Sequence, residues 1–130
     1  MSSLVRGKRL IVVDDSIVRG TTTPPVVRLL KDAGATEVHL RICAPPIQWP
    51  CHYGVDMATR GELIAADKTT EEVNSIIGSD SLGYLSIEGM LDCVESPGDF
   101  CTACFDGKYP VEFSGQPTKQ LPIEFDVKLL

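Results

Sequence analysis

The sequence of 130 residues lacks any apolar stretch near the roughly 20 residues that a membrane-spanning helix requires. Its first residues, MSSLVRGKRL, are basic but carry neither a long apolar segment nor a small-residue cleavage site. No secretory signal is read there, and a cytoplasmic location is expected. A basic stripe is missing too. Only 12 Lys and Arg stand against 18 Asp and Glu, they are scattered, and the net charge is −6. That excludes the electrostatic footprint of a nucleic-acid surface and a polybasic membrane contact. Two nucleotide signatures are absent: no G-x-G-x-x-G follows an apolar run, and no G-x-x-x-x-G-K-[ST] occurs. There is no internal repeat and no low-complexity tract.

Hydrophobic residues, in contrast, make up 43% of the chain, enough for a real core and too many for disorder. The length corresponds to one domain. RLIVV (9–13) is a continuous apolar run, the pattern of a strand buried on both faces of a parallel sheet. Residues 21–34 read as a helix: threonines are placed to cap its start, VVRLLKDA carries the apolar face and Gly34 ends it. TEVHLRICA (36–44) alternates and then turns apolar, which predicts a second strand. Strand, helix and strand make a βαβ unit with a right-handed crossover, so the fold class is α/β. APPIQWPCHYG (44–54) reads as an irregular loop and ELIAA (62–66) as a short apolar segment. TTEEVNSIIG (69–78) predicts a helix with a Thr69/Glu72 capping box, an apolar face of Val73, Ile76 and Ile77, and Gly78 as its stop. LGYLS (82–86) predicts a strand and IEGMLDCV (87–94) a last helix. After Glu95 the text becomes loop-like, and residues 114–130 read as a loosely held tail. One βαβ unit with accessories is a thin sheet, so a partial doubly wound parallel sheet with a cysteine-containing tail is expected.

The first strand runs into Asp14 and Asp15 and then into SIVRGTTT. Ligands of open α/β sheets bind beyond the carboxyl ends of the strands. Free N–H groups of a turn and a helix start suit a phosphate, and the Thr hydroxyls add donors. Two carboxylates at the edge of such a turn would repel that phosphate, so they must meet another part of the ligand. They fit ribose hydroxyls, as acids do in nucleotide sites, or Mg²⁺, which takes carboxylate oxygens and bridges phosphates. A sugar phosphate with free hydroxyls satisfies the whole stretch. The competing reading, a strand end with ordinary turn residues, explains the acid pair alone but not the complete pattern.

VVDDSIVRGTTT resembles the phosphoribosyl-pyrophosphate (PRPP) motif of type I phosphoribosyltransferases. The wording DDSIVRGTT is similar to that of the amidophosphoribosyltransferase family, glutamine-dependent enzymes of purine synthesis. APPIQWPCHYGVDMAT, ELIAA, YLSIEGML and CTACFDGKYP resemble that family in the same order, over about residues 6–113. The resemblance implies that Asp14 and Asp15 bind the ribose hydroxyls of PRPP and Mg²⁺. It implies that Ser16, Ile17, Val18, Arg19, Gly20, Thr21, Thr22 and Thr23 cradle the 5′-phosphate. The implied reaction displaces pyrophosphate from C1 of the ribose by ammonia, with oxocarbenium character in the transition state. The family has basic residues after the Thr run, whereas Pro24 and Pro25 follow here. A residue before proline avoids the α region, so the helix is expected to start late.

Of the five cysteines, Cys101 and Cys104 form a C-x-x-C, spaced for two ligands of one metal or for a redox pair. Cys43 and Cys93 read as buried core thiols. Some members of the resembled family carry a [4Fe–4S] cluster, and Cys51, Cys101 and Cys104 match three of its ligands; the fourth lies upstream, in a region this chain lacks. The role implied is structural or oxygen-sensing. His39 reads as a packed or surface residue, His52 as an unneeded stand-in ligand, Trp49 and Tyr53 as loop anchors, and Lys8 and Arg9 as solvated. Arg19 lies within the turn, and its planar fork suits phosphate.

The resemblance divides the chain into residues 1–95, the C-terminal part of a phosphoribosyltransferase domain, and residues 96–130, a tail with the C-x-x-C. The family's N-terminal glutaminase domain, further sheet strands and pyrophosphate loop have no counterpart in the sequence. A truncated or split chain is therefore expected, inactive by itself, whose full-length form is a homo-oligomer. Two alternatives stand beside it: a non-catalytic module that binds PRPP or another ribose phosphate, and a small metal-binding interaction protein built on the tail cysteines.

Overall fold

The computed structural model describes residues 2–57 and 59–111; the tail expected over residues 114–130 lies outside them. Three parallel strands, β1 (Arg9–Asp14), β2 (Glu37–Ile42) and β3 (Ser81–Tyr84), form one sheet in the order β1-β2-β3. Leu10 stands opposite Val38, and Leu40 opposite Leu82. The helices are α1 (Ser2–Val5), α2 (Thr23–Asp32), α3 (Thr70–Ile77), α4 (Ile87–Leu91) and α5 (Ala103–Asp106).

Strand alternation sends even-numbered residues to one face. There Val38, Leu40 and Ile42 pack with Val27 of α2 and with Val73 and Ile77 of α3, joined by Ile17, Ile64 and Ala65. The other face is uncovered. Ile11 is 70% and Val13 66% exposed, so β1 is not buried on both faces as its apolar run predicts. Helices among the described residues cover one side only, and a parallel sheet hides both sides only when helices flank both. The open face also carries a polar ladder. Glu37 accepts from Arg9 Nε (2.6 Å) and lies 2.7 Å from His39 Nε2, while His39 Nδ1 lies 2.8 Å from Ser81 Oγ. His39 is thus a partnered strand residue, and Arg9 is ion-paired rather than merely solvated.

The predicted helix over 21–34 is shorter at both ends. Thr22 precedes it in a helical backbone conformation, φ −90° and ψ −33°, and its hydroxyl makes no capping bond. A capping side chain needs an extended backbone there. At the other end Gly34 turns left-handed (φ +99°). Gly34 N–H then donates to Lys31 O and Ala35 N–H to Leu30 O, the two bonds of a Schellman ending. The Thr69/Glu72 capping box forms as read: Glu72 N–H donates to Thr69 Oγ1, and Thr69 N–H to Glu72 Oε2. Val73 and Ile77 are buried, but Ile76 is 52% exposed, one step off the inward stripe. Thr69→Ala should cost about 1 kcal/mol in urea unfolding, whereas Ser75→Ala, on the same helix's exposed side, should change little.

Asp80 ties the layers together. Its carboxylate accepts from Val38 N–H at 2.7 Å and lies 3.3 Å from Lys31 Nζ, joining β2, α2 and the turn before β3. The Val38 hydrogen bond, assisted by Lys31, holds the Asp80 carboxyl below its ordinary value. A depressed carboxyl stabilises the fold above its unfolded pKa, about 3.9, and that contribution is lost as pH falls through the folded value. As pH falls below about 4, Asp80→Asn should therefore lose stability less steeply than the unaltered chain, as followed by circular dichroism.

Candidate functional site

β1 delivers Asp14 and Asp15 to the carboxyl end of the sheet. The pairing with β2 carries on past the strands, because Cys43 N–H donates to Asp14 O (2.9 Å) and Ala44 N–H to Asp15 O (3.0 Å). Both acids are exposed. Asp14 Oδ1 accepts only from the next N–H, at 3.0 Å, and Asp15 Oδ1 accepts from the amide and hydroxyl of Ser16. Each carboxylate keeps lone pairs for a ligand. These are hard oxygen donors at an open site, the donor chemistry that Mg²⁺ takes.

Residues 16–23 then wrap a cavity of about 210 Å³, lined by nothing but this stretch. Gly20 adopts φ +67°, the left-handed conformation that lets the loop fold back on itself. The helix behind it contributes less than a usual N-terminus. The first four amide positions of a helix are its free donors, and Pro24 and Pro25 remove two of them. Thr22 and Thr23 keep theirs, so any phosphate held here rests chiefly on the loop. A second, smaller cavity of about 140 Å³ brings Asp14 together with Thr22 and Thr23. Asp14 thus lines the smaller cavity, Asp15 stands exposed outside both linings, and the turn residues gather around the loop cavity. Arg19 sits at its rim, 3.7 Å from Glu62 Oε2 and about half exposed.

Two residues near this cavity carry no signature in the sequence. Ile64, in the apolar ELIAA, donates its N–H to Val18 O at 2.9 Å, and its side chain lies against Gly20. Glu62, in the same segment, faces Arg19. The available signal was that apolar run itself, whose residues 63–66 are all buried although they form no strand.

The tail folds back beside the site. Cys104 O accepts from both Gln48 N–H and Trp49 N–H at 3.0 Å, and Tyr109 Oη donates to Pro50 O at 2.6 Å. Trp49 is anchored as read, under the Arg60 guanidinium at 3.9 Å. The His52 and Tyr109 rings meet at a tilt of 45°, with centroids 4.8 Å apart. The C-x-x-C is not wholly in a loop: it runs into the single turn of α5. Burial pushes the Cys104 thiol above its ordinary value, and negative charge on Cys51, Cys101 and Asp106 raises it further. Those three cysteines are thus electrostatic neighbours. Among the described residues, however, no three His, Cys, Asp or Glu side chains form a group able to hold a metal. As a soft donor set the trio is incomplete. Cys43 and Cys93 are exposed rather than buried. Cys43 follows His39 and Arg41 onto the open face, beside Val13 and Leu85, while the Cys93 thiol lies past the last turn of α4 and bonds to Gly89 O. The helix predicted over 87–94 ends at Leu91, with Asp92 as its cap.

No helix among the described residues is long and apolar enough to cross a membrane. No family model matches the chain. It is 55% identical over 115 residues to amidophosphoribosyltransferase from Archaeoglobus fulgidus, covering 86% of this chain and 25% of that protein. It is 53% identical over 118 residues to the Mycobacterium bovis amidophosphoribosyltransferase, covering 86% and 22%. Among solved structures, glutamine PRPP amidotransferase from B. subtilis complexed with ADP and GMP matches with a TM-score of 0.79 at 50% identity, covering 86% of this chain and 26% of that one. The chain spans about a quarter of the length of the curated relatives it matches. Over that quarter, in sequence and in α/β fold, it is similar to the amidophosphoribosyltransferases.

Proposed function

We propose that this chain supplies the PRPP-binding part of an amidophosphoribosyltransferase, which moves glutamine-derived ammonia onto C1 of the ribose and releases pyrophosphate. The observation that carries this reading is the succession, at the carboxyl end of β1, of the exposed Asp14 and Asp15 and of a loop cavity walled by residues 16–23, with Asp14 lining a second small cavity beside Thr22 and Thr23. The loop amides and Thr hydroxyls hold the 5′-phosphate. Asp14 and Asp15 accept hydrogen bonds from the ribose hydroxyls. Asp14 and Asp15 would also hold Mg²⁺, which when bound would supply charge neutralisation for the pyrophosphate leaving group. As the C1–O bond breaks, positive charge grows on the ribose ring, and nearby carboxylates stabilise it without having to reorganise.

Residues 1–95 are assigned to the phosphoribosyltransferase domain and residues 96–130 to the tail. Cys101 and Cys104 of the tail, with Cys51 of the 44–54 loop, would supply three thiolates toward a [4Fe–4S] cluster whose fourth ligand would come from outside this chain. That group would pin the tail to the loop at Trp49 and takes no part in the transfer. The exposed Ile11 and Val13 favour a further layer on the sheet's open face, from the rest of such an enzyme in a homo-oligomeric, cytoplasmic assembly. The 130 residues alone are accordingly inactive. PRPP binding without turnover is the behaviour expected of them, which is also what a pure binding module would show; adding the remaining domains as separate chains separates the two, since only an enzyme part then forms phosphoribosylamine.

The test is a pair of titrations on the anaerobically purified chain. Asp14→Asn/Asp15→Asn should abolish Mg²⁺-dependent PRPP binding while leaving binding of inorganic phosphate to the loop. Undiminished PRPP binding by the folded variant would overturn the assignment of the acids.

A further inference from the structure

The phosphate loop does not hold its own shape. A Cβ placed on Gly20 would overlap Ile64 Cδ1 outright and lie 3.3 Å from Ile64 Cγ1. The isoleucine therefore occupies the space that the missing side chain leaves, directly beneath the left-handed turn of the loop. On the next residue but one, Val18 O receives the Ile64 N–H at 2.9 Å. Val18 also packs against the cluster of Ile47, Leu63 and Ala66, while Arg19, between Val18 and Gly20, faces Glu62. Three consecutive loop residues thus touch one short segment far along the chain.

That segment is itself held firmly. Arg60, at its start, stacks on Trp49 and pairs with Asp67 Oδ1 at 3.0 Å, and Ile64 is buried in the main core. We infer that Ile64 is a positioning residue for the phosphate loop: its δ-methyl and its N–H together fix the turn at Gly20 and aim the loop amides into the cavity. The inference rests on the sugar-phosphate reading for the ligand, but not for the shape of the loop. A side chain that merely filled the core would be interchangeable, in its effect on the loop, with any other core isoleucine. Ile64 is not, because, besides its place in the core, its terminal methyl fills the space that the missing Gly20 side chain leaves.

The experiment compares Ile64→Val, which removes the δ-methyl and leaves the rest of the residue, with Ile77→Val, the same deletion in α3 within the same core. Both variants retain the fold, since Ile→Val deletions are mild. Ribose 5-phosphate is titrated into each, and amide hydrogen exchange is measured at Val18, Arg19, Gly20, Thr21 and Thr22. Loosening a preorganised site by a fraction of an ångström should weaken ribose 5-phosphate binding about tenfold in Ile64→Val and leave Ile77→Val near the unaltered chain. The loop amides should exchange faster in Ile64→Val only. Equal affinity losses in the two variants, or unchanged exchange in Ile64→Val, would overturn the inference. If the unaltered chain binds no ribose 5-phosphate, the sugar-phosphate reading fails for this chain, and the exchange rates alone still decide whether Ile64 sets the loop.

Discussion

Leu40→Ala should cost about 2–5 kcal/mol in urea unfolding, the usual range for emptying a buried leucine site. Leu40 is 1% exposed, at the centre of the middle strand, with β1 on one side and β3 on the other. Its side chain meets the helices across the single packed face, and no second layer among the described residues takes up the slack. Domains of this size hold only about 5–15 kcal/mol in all, and a sheet with one open face sits low in that range. The variant should therefore be largely unfolded near body temperature. Leu29→Ala is the control: Leu29 is on α2 but 66% exposed, and its removal should change stability by no more than about 0.5 kcal/mol. Equal losses at the two positions would mean that the core is not where the burial places it.

The second large effect is at Gly20. Gly20→Val combines two penalties. A left-handed backbone costs a residue with a Cβ about 1–2 kcal/mol, more for a β-branched one, and the overlap with Ile64 adds about 1–3 kcal/mol of overpacking. The sum should appear partly as lost stability and partly as a loop that swings away from Val18 and Ile64. Loss of phosphate binding should accordingly exceed what unfolding explains, as read by titration at a temperature where the variant is still folded. Gly61→Val provides the contrast, because a Cβ there meets nothing. A Gly20 variant with full phosphate affinity would show that the turn does not build the cavity.

Much of this was legible because local chemistry decided it. The runs at 9–13 and 36–44 became parallel strands, and Thr69 with Glu72 wrote a helix start in four residues. The acid pair and the Gly-Thr run read as a candidate site because they sit between a strand and a helix, and residues 16–23 do wall a cavity there. What stayed illegible depended on distant partners. Apolarity marked Ile11 and Val13 as strand residues, but their burial depends on a layer that lies elsewhere in sequence. Cys43 was read from its type, whereas its place in the alternation with His39 and Arg41 puts it on the open face. Thr22 had the right side chain for a cap and the wrong backbone, with two prolines following. Ile64 had no signal beyond apolarity, because its role is written in the shape of Gly20.

The most direct test of the central claim is calorimetric titration of PRPP with Mg²⁺ into the anaerobic, unaltered chain, with folding verified on the same sample. A preformed sugar-phosphate site predicts saturable binding of one PRPP per chain, with no pyrophosphate released. A folded chain that gives no binding heat at any accessible temperature or concentration, and no shift of its unfolding midpoint by PRPP, would contradict it.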